Sequence, residues 1–261
     1  MGTFPRRVTL GRSGLSVCPL GVSGGYGVDQ RSLIRAFDRG LNYWYHGSMT
    51  RPGMTAAVRE LIGGGHRDEL VLVLQSYMRW GWFMEMQLQR ELKALGTDHA
   101  DVLLLGWYNG GVPDFLMDRA MKLKERGLVR HLAVSCHDRP QFVKYAADPR
   151  LDILHIRYNA AHPGAEKDVF PHLPAEGRPG FVAYTATSWG QLLDAKKAPD
   201  GAPLRGRDCY RFALSNPNIQ VCMTGPKDAA QMDEALAALD EGPISAEEDV
   251  RFRRVGQAVA A

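Results

Sequence analysis

The sequence predicts an α/β protein: a closed (β/α)8 barrel of the TIM type with an N-terminal β-hairpin and an extra C-terminal helix. Three observations point there. Eight short apolar runs alternate with helix-period segments, the signature of βα units around a parallel sheet. The length, 261 residues, matches the ~250 typical of such barrels. An open doubly wound sheet would want a Gly-rich turn after its first strand, and Gly24-Gly25-Tyr26-Gly27 has the wrong spacing for one.

The apolar runs expected as barrel strands are Cys18–Val22, Asn42–Tyr45, Leu70–Leu74, Asp101–Leu105, His131–Val134, Ile153–Ile156, Phe181–Tyr184 and Gln220–Met223. Before them, Arg7–Leu10 and Leu15–Val17 flank Gly11-Arg-Ser-Gly14 and read as the hairpin. Helical patterns cover Ser32–Arg39, Thr55–Ile62, Met84–Leu95, Phe115–Arg126, Pro140–Ala147, Tyr210–Leu214 and Ala229–Leu239, with Ala246–Val259 as the additional helix. Gly40, Gly63, Gly96 and Gly127 follow helical runs where a left-handed C-cap is expected, and Asp114 and Asp228 stand at N-cap positions. Lys196–Arg207, rich in Gly, Pro and charge, is the segment expected to form a mobile loop.

With 45% hydrophobic and 23% charged residues, the composition is that of a globular domain and excludes disorder and coiled coil. The whole chain, 1–261, reads as one domain. A net charge of +3, with Lys and Arg scattered, argues against nucleic-acid binding, and Arg251, Arg253 and Arg254 read as a solvated helix face. Cys18, Cys136, Cys209 and Cys222 have neither disulfide-framework nor zinc-site spacing, and no two histidines pair at metal-ligand spacing on a helix, so no metal is expected. The absence of a leader-like or membrane-length apolar run leads to the expectation of a cytoplasmic protein.

The segments Val8-Thr-Leu-Gly-Arg-Ser-Gly-Leu-Ser-Val17, Gly40-Leu-Asn-Tyr-Trp44 and Gln231-Met-Asp-Glu234 resemble the aldo-keto reductases, and the resemblance runs from Val8 to Leu239. It implies a nicotinamide-dependent carbonyl reductase, with a hairpin closing the barrel bottom. On that family's pattern, however, the catalytic Asp falls on Tyr45, the Tyr on Thr50, the Lys on Gln75 and the His on Gly106. The cation that depresses a phenol pKa and its counter-ion are lost together. Thr50 is too short and too weakly acidic to replace a phenol.

Catalytic groups in such barrels come from strand C-termini, which converge on one mouth. The polar and aromatic residues there are Ser23, Tyr26, Tyr45, His46, Gln75, Ser76, Trp107, Tyr108, Ser135, His137, Tyr158, Asn159, Tyr184, Thr185 and Thr224, an assembly that favours a ligand pocket. Tyr45, His137, Tyr108 and Gln75 are the catalytic candidates, with Tyr45 offering its phenol and His46 or His137 as its proton partner. Gly106 suggests room opened at the mouth and bounded by Trp107-Tyr108-Asn109.

The resemblance also implies a cofactor site. Tyr184 matches the Tyr that stacks under the nicotinamide and Thr185 follows it. Ser135 matches the Ser of the carboxamide grip, while Cys136 replaces its Asn and His155 its Gln. Thr224, Gly225 and Lys227 open a helix whose N-terminus suits an anion. Gln231 and Glu234 match adenine-side contacts, although the family's Asn falls on Ala235. NADP(H) is the expected cofactor, with Arg205 or Arg207 able to meet a 2′-phosphate. Three functions stay open: a reductase-like oxidoreductase with a rebuilt site acting on a small carbonyl-type substrate, a non-redox isomerase, dehydratase or lyase, and a cofactor-binding pseudoenzyme with a regulatory role.

Overall fold

A computed structural model describes residues 2–47 and 51–260. Thr50, the position of the family's Tyr, lies outside the described residues. Strands β1 (Val8–Thr9) and β2 (Ser16–Val17) pair antiparallel, with Val8 opposite Val17. Their Leu10 and Val17 belong to the inner barrel core, so the hairpin plugs the N-terminal end.

Eight parallel strands follow: β3 (Leu20–Ser23), β4 (Tyr43–Gly47), β5 (Val71–Ser76), β6 (Ala100–Leu105), β7 (Val129–Ser135), β8 (Ile153–Arg157), β9 (Gly180–Tyr184) and β10 (Val221–Thr224). They close in chain order, β10 pairing with both β9 and β3. Around them lie α1 (Gln30–Asp38), α2 (Pro52–Gly63), α3 (Gly81–Leu95), α4 (Asp114–Glu125), α5 (Arg139–Ala147), α6 (Ala165–Asp168), α7 (Gly206–Leu214), α8 (Ala229–Glu241) and α9 (Ala246–Ala260). The predicted barrel, hairpin and extra helix are all present.

The strands read as apolar runs because both faces are covered. Outward residues such as Trp44, Leu72, Leu103, Leu132 and Leu154 pack under the helices. Inward residues, Tyr43, Val71, Val73, Val102, Leu104, Ala133, Ile153, Val182, Val221 and Met223, fill the barrel. Each fully buried aliphatic side chain contributes roughly 1.5–3 kcal/mol. Gly21 matters here: a Cβ on it would lie 2.6 Å from Met223 Sδ and 3.1 Å from the Tyr43 ring, so a tyrosine fits inside the barrel only because this position is bare.

Several boundaries differ from the sequence reading. β3 starts at Leu20, after Pro19, which cannot donate to a ladder. β4 runs to Gly47, β5 to Ser76 and β8 to Arg157, each beyond its apolar run, which carries polar residues to the rim. Gly63 ends α2 without turning left-handed; Gly65 does so, at φ +83°. Asp114 is the first residue of α4 behind Pro113, whereas Asp228 caps α8 by accepting from Gln231 N–H. Helix α6, only four residues long, is too short to show periodicity. The segment expected to be a loose loop is tied down: Leu204 N–H donates to Leu192 O, Arg254 pairs with Asp200 at 2.8 Å, and α7 already begins at Gly206. Among the described residues no helix is long and apolar enough to cross a membrane.

Candidate active site

Three inward positions of adjacent strands meet at the C-terminal rim. Tyr45 on β4 donates its phenol proton to Gln75 Oε1 on β5. A Cβ on Gly106, just past β6, would lie 2.5 Å from Gln75 Nε2 and 2.5 Å from the Tyr77 ring. The sequence suggested open room at Gly106; instead the Gln75 amide and the Tyr77 ring fill it. Gln75 is only 4% exposed. Burial first, then the neighbouring Tyr77 phenol, push the Tyr45 pKa above the usual tyrosine range, while Arg51 works in the opposite direction. Arg51 is a cation near Tyr45 that the sequence reading missed; its Nε is buried with no partner among the described residues.

Strand alternation explains which expected residues join this cluster. His46, one residue from Tyr45, faces outward: its Nε2 lies 2.9 Å from Thr55 Oγ1, and burial lowers its pKa to about 4. His137 lies beside Tyr184, whose hydroxyl is 3.5 Å from its Nδ1. Neither histidine partners Tyr45, as had been expected; Gln75 and Tyr77 do. Tyr108 is buried with the outer core, donates to Met78 O at 3.2 Å, and carries the Arg79 guanidinium 3.9 Å above its ring. It stands apart from the Tyr45 cluster.

On the opposite side Tyr184 packs on the inner core, and burial raises its phenol to about 12. Ser135 Oγ accepts from Trp107 N–H at 3.2 Å. Trp107 adopts φ +60° and is 57% exposed. That left-handed backbone, costly for a bulky residue, is held by Ser135, by Arg79 donating to its carbonyl at 3.0 Å, and by the Tyr77 ring at 5.0 Å. His155 lies one layer below the mouth, enclosed, with Nε2 2.8 Å from the Tyr43 hydroxyl, and burial lowers its pKa to about 3. Cys136 is buried with its thiol raised to about 12 by burial.

Beyond Tyr184, Thr185, Ser188 and Trp189 all have positive φ. The Oγ1 of Thr185 and Oγ of Ser188 are buried without a partner among the described residues. Such orphan hydroxyls are uncommon in native structures and mark places where a ligand or water completes the site. The turn after β10 is more self-contained. Lys227 N–H donates to Gln231 Oε1, Asp228 caps Gln231, and Glu234 pairs with Arg207 at 2.6 Å. Arg207 also pairs with Glu241 and Arg205 with Asp208, so both candidate 2′-phosphate cations already have carboxylate partners. The Tyr26 ring covers Gly225, where a Cβ would lie 2.4 Å from it.

Arg157, Tyr77, Ser188 and Trp189 also belong to the mouth, and the sequence reading named none of them. Arg157 could have been found by counting inward from Ile153 in steps of two. The residue that was named, Tyr158, faces outward and donates to Glu166. Asn159 is wholly buried and holds loops together, donating to Thr185 O at 2.7 Å.

The family model described as Aldo/keto reductase family matches residues 73–208, just over half of the chain. The chain belongs to the aldo/keto reductase family. No curated protein matches the sequence. Among solved structures, an aldo-keto reductase from Bacillus halodurans is similar in its apo form, with TM-score 0.77 and 20% identity over 98% of this chain and 97% of that one. Its holo form gives TM-score 0.79 and 19% identity over the same shares. An aldo/keto reductase from Klebsiella pneumoniae in complex with NADP and acetate gives TM-score 0.75 and 20% identity over 97% and 96%. At such identities the structural likeness speaks for the shared fold. In this member of the family, Tyr45, Gln75 and Gly106 lie together at one end of the barrel.

Proposed function

We propose that this aldo/keto reductase family member is an oxidoreductase with a non-standard site, binding NADP(H) and acting on a small carbonyl-type substrate. The observation that carries this reading is the pair of buried hydroxyls, Thr185 Oγ1 and Ser188 Oγ, that have no partner among the described residues and lie just past Tyr184. They offer donors where an anionic ligand lying past Tyr184 would need them. Tyr184 and Ser135 would hold the nicotinamide end, and Thr185, Ser188 and Lys227 the phosphates. When bound, the dinucleotide supplies or accepts a hydride.

The remaining work falls to the chain's own side chains. Tyr45, kept protonated by burial, holds the transferable proton and releases it by turning from Gln75 Oε1 toward a substrate oxygen. Arg51 lowers the cost of the phenolate left behind. Compared with an ionic Asp-Lys-Tyr relay this is a weak general acid, and slow turnover is expected.

The pairing of Gln231 with the Lys227 backbone and of Glu234 with Arg207 favours a second reading, in which the mouth performs non-redox acid–base chemistry. Incubation with NADPH deuterated at the transferable position and a panel of small aldehydes and ketones separates the two. Deuterated alcohol is expected, at a rate that Tyr45→Phe lowers about 10²–10⁴-fold. Turnover that leaves NADPH unoxidised would support the non-redox reading, and a rate insensitive to Tyr45→Phe would remove Tyr45 from its role.

A further inference from the structure

Beside the redox site, between the ends of β7 and β8, lies a small cavity of about 10 Å³ lined by Cys136, His137, Arg139, Phe142, Ile156, Arg157 and His162. That volume seats one oxygen-sized group. The electrostatics around it are one-sided. Arg139 is neutralised by Asp168 at 2.6 Å, but Arg157 has no carboxylate within ion-pair distance among the described residues. Its guanidinium sits 6.0 Å from the Trp189 ring centroid. The surroundings are built. Asn159 Oδ1 accepts from the Ala161 and His162 backbone N–H groups at 3.0 and 2.9 Å, and its Nδ2 ties the loop to Thr185 O. Gly164 gives Arg139 room: a Cβ there would lie 2.7 Å from its guanidinium carbon.

We propose that Arg157, flanked by His137 and His162, seats one oxyanion of a small acidic ligand, carboxylate or phosphate, at the edge of the barrel mouth. An uncompensated guanidinium recognises these groups well, because its charged N–H donors make short, strong hydrogen bonds to an anionic oxygen. Burial and then Arg157 lower the pKa of both His137 and His162, with Arg139 adding to the effect at His162. A bound oxyanion would cancel that repulsion and supply an acceptor, so both imidazoles would protonate more readily. The other titratable groups facing the seat are the Cys136 thiol, Asp138, the Arg139–Asp168 pair and Tyr184. This seat goes beyond the nicotinamide reading and stands without it.

The test is an NMR titration of the histidine ring protons of the intact protein in three arms: sodium chloride as ionic-strength control, inorganic phosphate, and succinate. Resonances are assigned with His137→Asn and His162→Asn. The expected result is saturable upward movement of both titration midpoints with phosphate, succinate or both, beyond any change in chloride; the responding arm identifies the preferred group. In Arg157→Gln both midpoints rise without ligand and no longer respond to it. Equal responses in all three arms, or an Arg157→Gln variant that still shows saturable shifts, overturns the seat. NADPH binding by Arg157→Gln, followed through nicotinamide fluorescence, bears on the redox reading alone.

Discussion

The Tyr45 phenol donates to Gln75 Oε1, at the two positions that the sequence resemblance aligns with an aspartate and a lysine. The pair is neutral on both sides. A lysine facing a tyrosine, or an aspartate facing a glutamine, would leave a poorly solvated charge without its partner.

Gln75→Lys alone is therefore expected to lower the unfolding free energy by about 2–4 kcal/mol, because the ammonium would meet a neutral phenol with Arg51 nearby. Adding Tyr45→Asp should recover most of that loss. Urea denaturation of the single and double variants checks it. Full stability of the single variant would mean that this part of the mouth tolerates a charge and that the neutral pairing is incidental.

Gly106→His introduces the residue that the sequence resemblance aligns here, but places atoms where the Gln75 amide and Tyr77 ring already are. Overpacking of this kind costs typically 1–3 kcal/mol, and Tyr77→Ala should relieve it. Thermal unfolding of Gly106→His with and without Tyr77→Ala measures the coupling, and additive effects would contradict the contact.

Ser188→Ala removes a buried hydroxyl that has no partner among the described residues. The free protein should be unchanged or more stable by up to about 1 kcal/mol, since an unsatisfied polar group is lost. NADPH affinity should fall roughly tenfold, about 1.4 kcal/mol, the value of one hydrogen bond to a charged group. A destabilised apo protein with unaltered affinity would assign Ser188 a purely structural role.

His155 is enclosed and neutral, its pKa lowered by burial from 6.5 to about 3. The folded-state pKa lies below the unfolded one, so the unfolded chain takes up the proton first as pH falls. The stability contributed by the neutral ring is fully present above about pH 6.5 and is lost progressively toward pH 3, at roughly 1.4 kcal/mol per pH unit. His155→Gln keeps a hydrogen-bonding partner for Tyr43 and cannot titrate. Its loss of stability between pH 6 and pH 4 should be smaller than the parent's by about 2–3 kcal/mol, while His46 keeps its own acid sensitivity in both proteins. Parallel stability profiles would show that His155 is protonated in the fold or reached by water.

The barrel was legible because strands buried on both faces must be apolar throughout, and runs such as Leu70–Leu74 and Asp101–Leu105 admit little else. The mouth was harder to read because its identity depends on strand phase. A one-residue error in the phase of β8 picks Tyr158, which points at the helices, over Arg157, which points at the ligand side. Tyr45 and Gln75 were read with the inward phase that the structure shows because the family's pattern supplies it. Arg51 and Tyr77 come from beyond strand ends, where no periodicity operates. The left-handed backbone at Trp107 and Trp189 has no local sequence signature, because it is imposed by tertiary contacts such as the Ser135 hydrogen bond to Trp107.

The central claim, that the neutral mouth still serves a nicotinamide cofactor, is tested most directly by titrating the purified protein with NADPH and NADH while following nicotinamide and tryptophan fluorescence. Saturable binding is predicted, tighter for NADPH and weakened by Tyr184→Ala. No saturable signal with either cofactor, from a protein that is folded by circular dichroism, would contradict it.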